Sequence, residues 1–174
     1  MGEIPSMSDS PFEAEAEGTG DVMYFAYGSN MDPEQMKTRC PDAEFVGIGV
    51  MENHVLCFPR RSVKRNCGVS SVAPLAGHKT WGVVYRLTSK DLAALDGSEG
   101  FRSDRAPKLN SYNRVGVIVS FDDLPTDMVT YLAVAQEDVP LPNAAYLKHI
   151  REGARYHSLP AAYLEYLEGI EHLD

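Results

Sequence analysis

Up to residue 135, apolar and polar positions fall into short runs bounded by turn residues; beyond it they recur at helical spacing. Val22 to Tyr27 is short, aromatic and β-branched, which predicts a buried strand. Asp32-Pro33-Glu34-Gln35 then reads as a helix start. Asp32 caps, Pro33 suits the first helical position, and Gln35 stands where a capping box places its second partner. Pro41 stops that helix after Cys40. Glu44 to Met51 and His54 to Phe58 predict a strand pair turning at Glu52-Asn53. Pro59 to Gly68 is a polar loop. Val69 to Ala73 and Thr80 to Leu87 predict further strands, joined by Pro74 to Lys79. Trp81-Gly82-Val83-Val84-Tyr85 has the content of a central strand.

Thr88 caps a predicted helix from Ser89 to Leu95, with Leu92 and Leu95 inward. The glycine-punctuated turn Leu95-Asp96-Gly97-Ser98-Glu99-Gly100 follows, then a loop through Pro107. Tyr112 to Phe121 and Met128 to Ala135 predict another strand pair. After Leu141-Pro142-Asn143, one helical face collects Tyr146, Leu147, Ile150 and Ala154. Leu159-Pro160 restarts a second helix, with Tyr163, Leu164, Leu167 and Ile170 on its apolar side. Strands first and helices last predict an α+β domain on a strongly curved, mainly antiparallel sheet.

Composition narrows the function more than the fold. A length of 174 residues fits one domain, over 22–174. Met1 to Asp21 is acidic and rich in small residues, without the positive segment and apolar core of a signal peptide. It reads as a disordered tail. The net charge of −9 is spread along the chain, which speaks against nucleic acid or an anionic membrane as partner. No apolar run approaches the roughly 20 residues of a membrane span. Cys40, Cys57 and Cys67 are odd in number and lack C-x-x-C spacing. That argues against a disulfide framework or a zinc site and fits a reducing cytosol. The five histidines form no ligand pair, so no metal or cofactor is expected. Arg60, Arg61, Lys64 and Arg65 form the one basic cluster, read as a solvated loop.

Two segments carry chemistry. Tyr24-Phe25-Ala26-Tyr27-Gly28-Ser29-Asn30 runs a strand straight into a Gly-Ser-Asn turn. Backbone N–H groups at Gly28, Ser29 and Asn30 suit an anion, and Gly28, lacking Cβ, lets the backbone approach a ligand. Tyr24 and Ala26 point one way along the strand, Phe25 and Tyr27 the other, and Tyr27 abuts the turn. Ser29 has no histidine or aspartate placed to make it a nucleophile. Glu99 is an isolated carboxylate in the second turn, and Asp96 reads as a brace for that turn rather than a reacting group.

On these residues the chain resembles the γ-glutamylcyclotransferase family. The anchors come in order: Tyr24 to Asn30, Trp81 to Tyr85, Leu95-Asp96 with Glu99-Gly100, then Tyr146 to Ile150, Gly153-Ala154 and Leu159-Pro160. The resemblance covers roughly residues 22 to 172. It implies a small mixed, mainly antiparallel β-barrel flanked by helices, often as a homodimer. It also implies a cofactor-free conversion of a γ-glutamyl amide, a γ-glutamyl-amino acid or a γ-glutamylamine, into 5-oxoproline and the free amine. The γ-glutamyl-holding role falls on Tyr24, Phe25, Ala26, Tyr27, Gly28, Ser29 and Asn30, with Tyr131 as a further substrate contact. The acid/base role falls on Glu99. Tyr112 matches a family tyrosine only across an insertion, because Arg102 to Ser111 is longer than the usual link. That loop and Arg60 to Arg65 are the segments placed to change which leaving group fits. Two alternatives stay open: a non-catalytic γ-glutamyl binding module, and a cyclotransferase that deprotects a biosynthetic intermediate.

Overall fold

β1 (Val22–Ala26) is the buried strand its aromatic pattern predicts; Phe25 and Ala26 are almost fully enclosed. The structure, a computed structural model, describes residues 20–174, so the expected tail lies outside the described residues apart from Gly20 and Asp21. A 3-10 turn, Ser29–Met31, leads from β1 to α1 (Pro33–Arg39), where Asp32 accepts from the Glu34 N–H. Gln35 does not close the expected capping box; its side chain turns to Ser29 and Asn30 instead.

The two predicted strand pairs in the middle of the chain are not hairpins. Glu44 to Ser62 is one long strand, β2, and Cys67 to Leu87 is another, β3; they pair with each other along most of their length. The expected turn at Glu52-Asn53 is a register shift: Glu52 pairs with Lys79, and His54 with Pro74. Asn53 and Gly77 both take positive φ, and Asn53 Oδ1 accepts from the Gly77 N–H at 3.0 Å. The antiparallel pairing continues on both sides of the shift, as across a bulge, so neither strand reverses. The true reversal is at 63–66, within the predicted polar loop, closed by Asn66 N–H to Ser62 O at 2.8 Å.

α2 (Ser89–Glu99) is capped by Thr88 as expected, but it runs four residues past Leu95 and ends on Glu99. The isolated Gly97 costs a helix roughly 1 kcal/mol, too little to end it. Gly100, at φ +69°, ends it in the left-handed conformation typical of helix C-termini. β4 (Tyr112–Phe121) and β5 (Leu124–Ala133) form the predicted hairpin, with β5 starting earlier than expected. The five strands close into a ring in the order β1-β3-β2-β4-β5. β1 and β5 are its one parallel contact, so the sheet is mixed and mainly antiparallel.

α3 (Ala144–Tyr156) and α4 (Ala161–Glu168) close the chain. The predicted face of Tyr146, Leu147, Ile150 and Ala154 is buried. No helix among the described residues is long and apolar enough to cross a membrane. α3 also positions the loop after β1. A Cβ built on Gly153 would lie 2.3 Å from the Met31 carbonyl carbon and 2.5 Å from its oxygen. Backbone, not a flexible side chain, fills that space. Gly153→Ala is therefore expected to lower stability by about 1–3 kcal/mol and to reduce activity by shifting Ser29–Met31. A denaturant midpoint and kcat/KM equal to wild type would show that the loop is not set by this contact.

Candidate active site

The first strand, its 3-10 turn, the end of α2 and the tip of the β2–β3 arm surround one cavity of about 370 Å³. Tyr24, Tyr27, Gly28, Ser29, Asn30, Glu99 and Tyr131 all line it. Phe25 and Ala26 do not; both are in the core. Strand alternation explains part of this, because Tyr24 faces opposite to Phe25. The alternation lapses at Ala26, the last strand residue, so Tyr27 turns into the same cavity as Tyr24.

Glu99 projects from the last residue of α2, and its side chain is 14% exposed. Oε1 accepts from Asn30 Nδ2 at 3.1 Å and lies 3.7 Å from an Arg39 guanidinium nitrogen. Burial raises the Glu99 pKa above the ordinary carboxylate value; Arg39, the Asn30 hydrogen bond and Arg65 oppose that rise only in part. Removing the Arg39 charge takes away the strongest opposing influence. In Arg39→Gln the acid limb of the kcat/KM pH profile is expected to move to higher pH, because the proton then leaves Glu99 later. A limb that stays put or moves to lower pH would separate this titration from Glu99.

Asn30 is the hub. Its amide nitrogen donates to Tyr24 Oη at 3.0 Å as well as to Glu99, while its Oδ1 accepts from Gln35 Nε2 and Arg39, both at 2.9 Å. Two donors on one side and two acceptors on the other fix which way the amide faces. Gln35 extends the chain of contacts, donating to Ser29 Oγ at 2.8 Å and accepting from Arg65 at 2.8 Å. Ser29 is thus held as a turn residue in this network. The 3-10 turn's own bonds run from the Met31 N–H to Gly28 O and from the Asp32 N–H to Ser29 O. The Ser29 and Asn30 N–H groups therefore have no partner inside the turn.

The missing Cβ at Gly28 also makes room inside the protein. A Cβ there would meet Oγ of Ser70, a residue of the cavity wall, at 2.4 Å. Ser70 in turn is held by Tyr146, whose hydroxyl accepts from the Ser70 N–H at 2.9 Å and lies 2.7 Å from its Oγ. Tyr112 donates to Ser70 O at 2.7 Å and lines the cavity. Tyr146 was legible in the sequence only as a core position on the α3 face; its hydroxyl makes it part of the wall.

Tyr131 lines the cavity with its hydroxyl already committed to Asp96 Oδ1 at 2.6 Å. Asp96 Oδ2 accepts from Arg114 at 2.6 Å, and the Phe101 N–H bonds to Asp96 O. Asp96 braces the end of α2, as its sequence position suggested, and does not line the cavity. Tyr27 donates its hydroxyl to the Tyr131 carbonyl. Burial pushes the Tyr24, Tyr27, Tyr112, Tyr131 and Tyr146 hydroxyls above the ordinary phenol range, so all stay protonated near neutral pH. The remaining ionisable side chains in the wall are arginines. Among the described residues, Glu99 is the one carboxylate that lines the cavity.

The basic cluster is not simply a solvated loop. Arg60, Arg61 and Arg65 join Arg39 in the cavity wall, while Lys64 stays outside. The long loop after α2 is pinned at its base by buried Asn110, which bonds the Arg102 backbone and the Arg105 side chain; only Ser111 of that loop reaches the cavity.

A family model described as AIG2-like matches residues 79–167. The γ-glutamylcyclotransferase of Mus musculus is 30% identical over 171 residues, covering 95% of this chain and 87% of its own length. That of Homo sapiens is 31% identical over 154 residues, covering 86% and 78%. A solved structure described as a γ-glutamyl cyclotransferase superposes with a TM-score of 0.79 at 30% identity, covering 88% of this chain and 90% of its own.

Proposed function

The chain belongs to the γ-glutamylcyclotransferase family, and on that premise we propose that it cyclises a γ-glutamyl amide to 5-oxoproline and a free amine, with Glu99 as the acid/base. The observation that carries the role of Glu99 is its position as, among the described residues, the single carboxylate in a wall of neutral phenols and permanent cations.

The substrate supplies its own nucleophile. Its α-amine closes on its γ-carbonyl carbon, forming a C–N bond in a five-membered ring as the amide C–N bond to the leaving amine breaks. No serine or cysteine attack is needed. The cavity has to fold the glutamyl chain back on itself, which contributes through effective molarity. It has also to remove a proton, because an ammonium has no lone pair. Glu99 takes that proton and returns it to the departing amine, a transfer typically worth about 10²–10⁴-fold.

A raised pKa suits both halves of this cycle. It makes the carboxylate a stronger base than an exposed one, and the carboxylic acid remains available as donor. The backbone N–H groups of Gly28, Ser29 and Asn30 are assigned to the substrate's α-carboxylate or to the oxyanion that develops on the γ-carbonyl. Tyr24 accepts from Asn30, which leaves its own proton free to donate into the cavity. Tyr27, Tyr112 and Tyr131 have their hydroxyl protons committed to protein acceptors, so they shape the pocket and exclude water.

The test is an analogue with its nucleophile blocked. N-acetyl-γ-glutamyl-alanine is expected to release no alanine, while γ-glutamyl-alanine releases it readily. Alanine released from both at similar rates would mean attack by water or by the protein, and would overturn the cyclisation.

A further inference from the structure

We propose that the amine half of the substrate carries more than one negative charge, as an acidic amino acid or peptide joined through its amine to the γ-glutamyl group. This rests on the cyclotransferase reading and specifies the half of the substrate that the shared γ-glutamyl chemistry leaves undefined. In a chain of net charge −9, the described residues of the cavity wall include four guanidiniums, of Arg39, Arg60, Arg61 and Arg65, and one carboxylate. Arg39 faces that carboxylate. The other three have no carboxylate within 4.0 Å among the described residues.

Their protein contacts are with neutral acceptors. Arg60 donates to the Val134 carbonyl at 3.1 Å, Arg61 to Asn66 Oδ1 at 2.6 Å, and Arg65 to Gln35 Oε1 at 2.8 Å. Arg65 also lies over the Tyr146 ring, 5.0 Å from its centroid. A guanidinium has five N–H donors, so each keeps most of its donors for a ligand. The three come from the end of β2 and the turn that follows, at the tip of the β2–β3 arm, and Arg61 is the most exposed. Glu99 and the turn after β1 lie on other elements of the same wall.

A γ-glutamyl group brings an ammonium and a carboxylate and is net neutral, so it leaves the cationic excess uncompensated. An amine half with a single carboxylate answers one guanidinium. One with two or more answers the cluster, through charge-assisted bonds that are stronger than neutral ones. Only the γ-carbonyl carbon and the two amines change their bonds; the acidic half leaves intact as the free amine.

The experiment compares kcat/KM for γ-glutamyl-propylamine, γ-glutamyl-alanine and γ-glutamyl-glutamate, whose amine halves carry zero, one and two carboxylates. Rates are expected to rise in that order, with the last at least about tenfold above the first, and high salt is expected to compress the range. Arg60→Gln with Arg61→Gln is the matched variant, since Arg65 also holds Gln35. Its loss on γ-glutamyl-glutamate is expected to exceed its loss on γ-glutamyl-propylamine at least about tenfold. Arg60→Lys with Arg61→Lys keeps the charge and is expected to keep the order of substrates. Equal kcat/KM for all three amides, or a glutamine pair that loses the same factor on each, overturns the inference and leaves the cyclotransferase intact. Release of 5-oxoproline from none of them overturns both.

Discussion

Glu99→Gln is expected to lower kcat for γ-glutamyl amides at least about 10²-fold while substrate binding survives. Glutamine keeps the size of the side chain and an oxygen for the 3.1 Å bond from Asn30, but it cannot accept the substrate's proton. Binding is read by calorimetry with 5-oxoproline or a slow substrate, and turnover by release of the amine. Turnover within a few-fold of wild type would remove Glu99 from the acid/base role. The same variant carries a second expectation of opposite sign. Because burial raises the folded-state pKa, the folded chain holds the Glu99 proton to higher pH than the unfolded chain does. The associated stability is full below the unfolded pKa and is lost as pH rises through the folded value. Ionised Glu99 is therefore a cost at neutral and alkaline pH, and glutamine removes it. The Tm of Glu99→Gln relative to wild type is expected to be higher at about pH 8 than at about pH 4. A Tm difference that shrinks over that range would mean the carboxylate is stabilised, not strained, by its setting.

Asn30→Asp is the second large effect. Asn30 is 5% exposed and uses both ends of its amide in the site. Aspartate replaces the donor facing Glu99 with an acceptor, which puts two carboxyl oxygens about 3.1 Å apart. Two carboxylates in such a site share a proton and titrate as a pair. Arg39 offsets part of the added charge, but the hydrogen bond that favours ionised Glu99 is gone. Near neutral pH, kcat/KM is expected to fall at least about 10²-fold, with partial recovery as the pH is raised. A profile superimposable on wild type would show that Asn30 does not set the state of Glu99.

The parts of this site that were legible in the sequence are those written in contiguous residues. The strand from Tyr24 running into the Gly28-Ser29-Asn30 turn and the carboxylate at Glu99 were readable because turn and strand residues sit side by side. The apolar face of α3 was readable from spacing alone, and so was the cap at Asp32. What escaped depends on partners far away in the chain. Glu52-Asn53 looks like a hairpin turn until Gly77 is placed opposite Asn53, where the pair makes a bulge in two long strands. Gly97 looks like the end of a helix, and only the left-handed geometry at Gly100 shows where α2 stops. Gln35 fits a capping box by position, yet Ser29, Asn30 and Arg65 offer its amide better partners. Arg60, Arg61 and Arg65 look like a solvated charge run until the β2–β3 arm folds them over the cavity. Local pattern thus located the residues proposed to hold and react with the substrate, and long-range pairing decided what surrounds them.

Product identity tests the central claim most directly. Wild-type protein incubated with γ-glutamyl-alanine, followed by NMR, is predicted to release 5-oxoproline and alanine in equal amounts with no free glutamate. Glutamate appearing in place of 5-oxoproline, at a rate matching alanine, would contradict cyclisation and make the cavity that of a hydrolase.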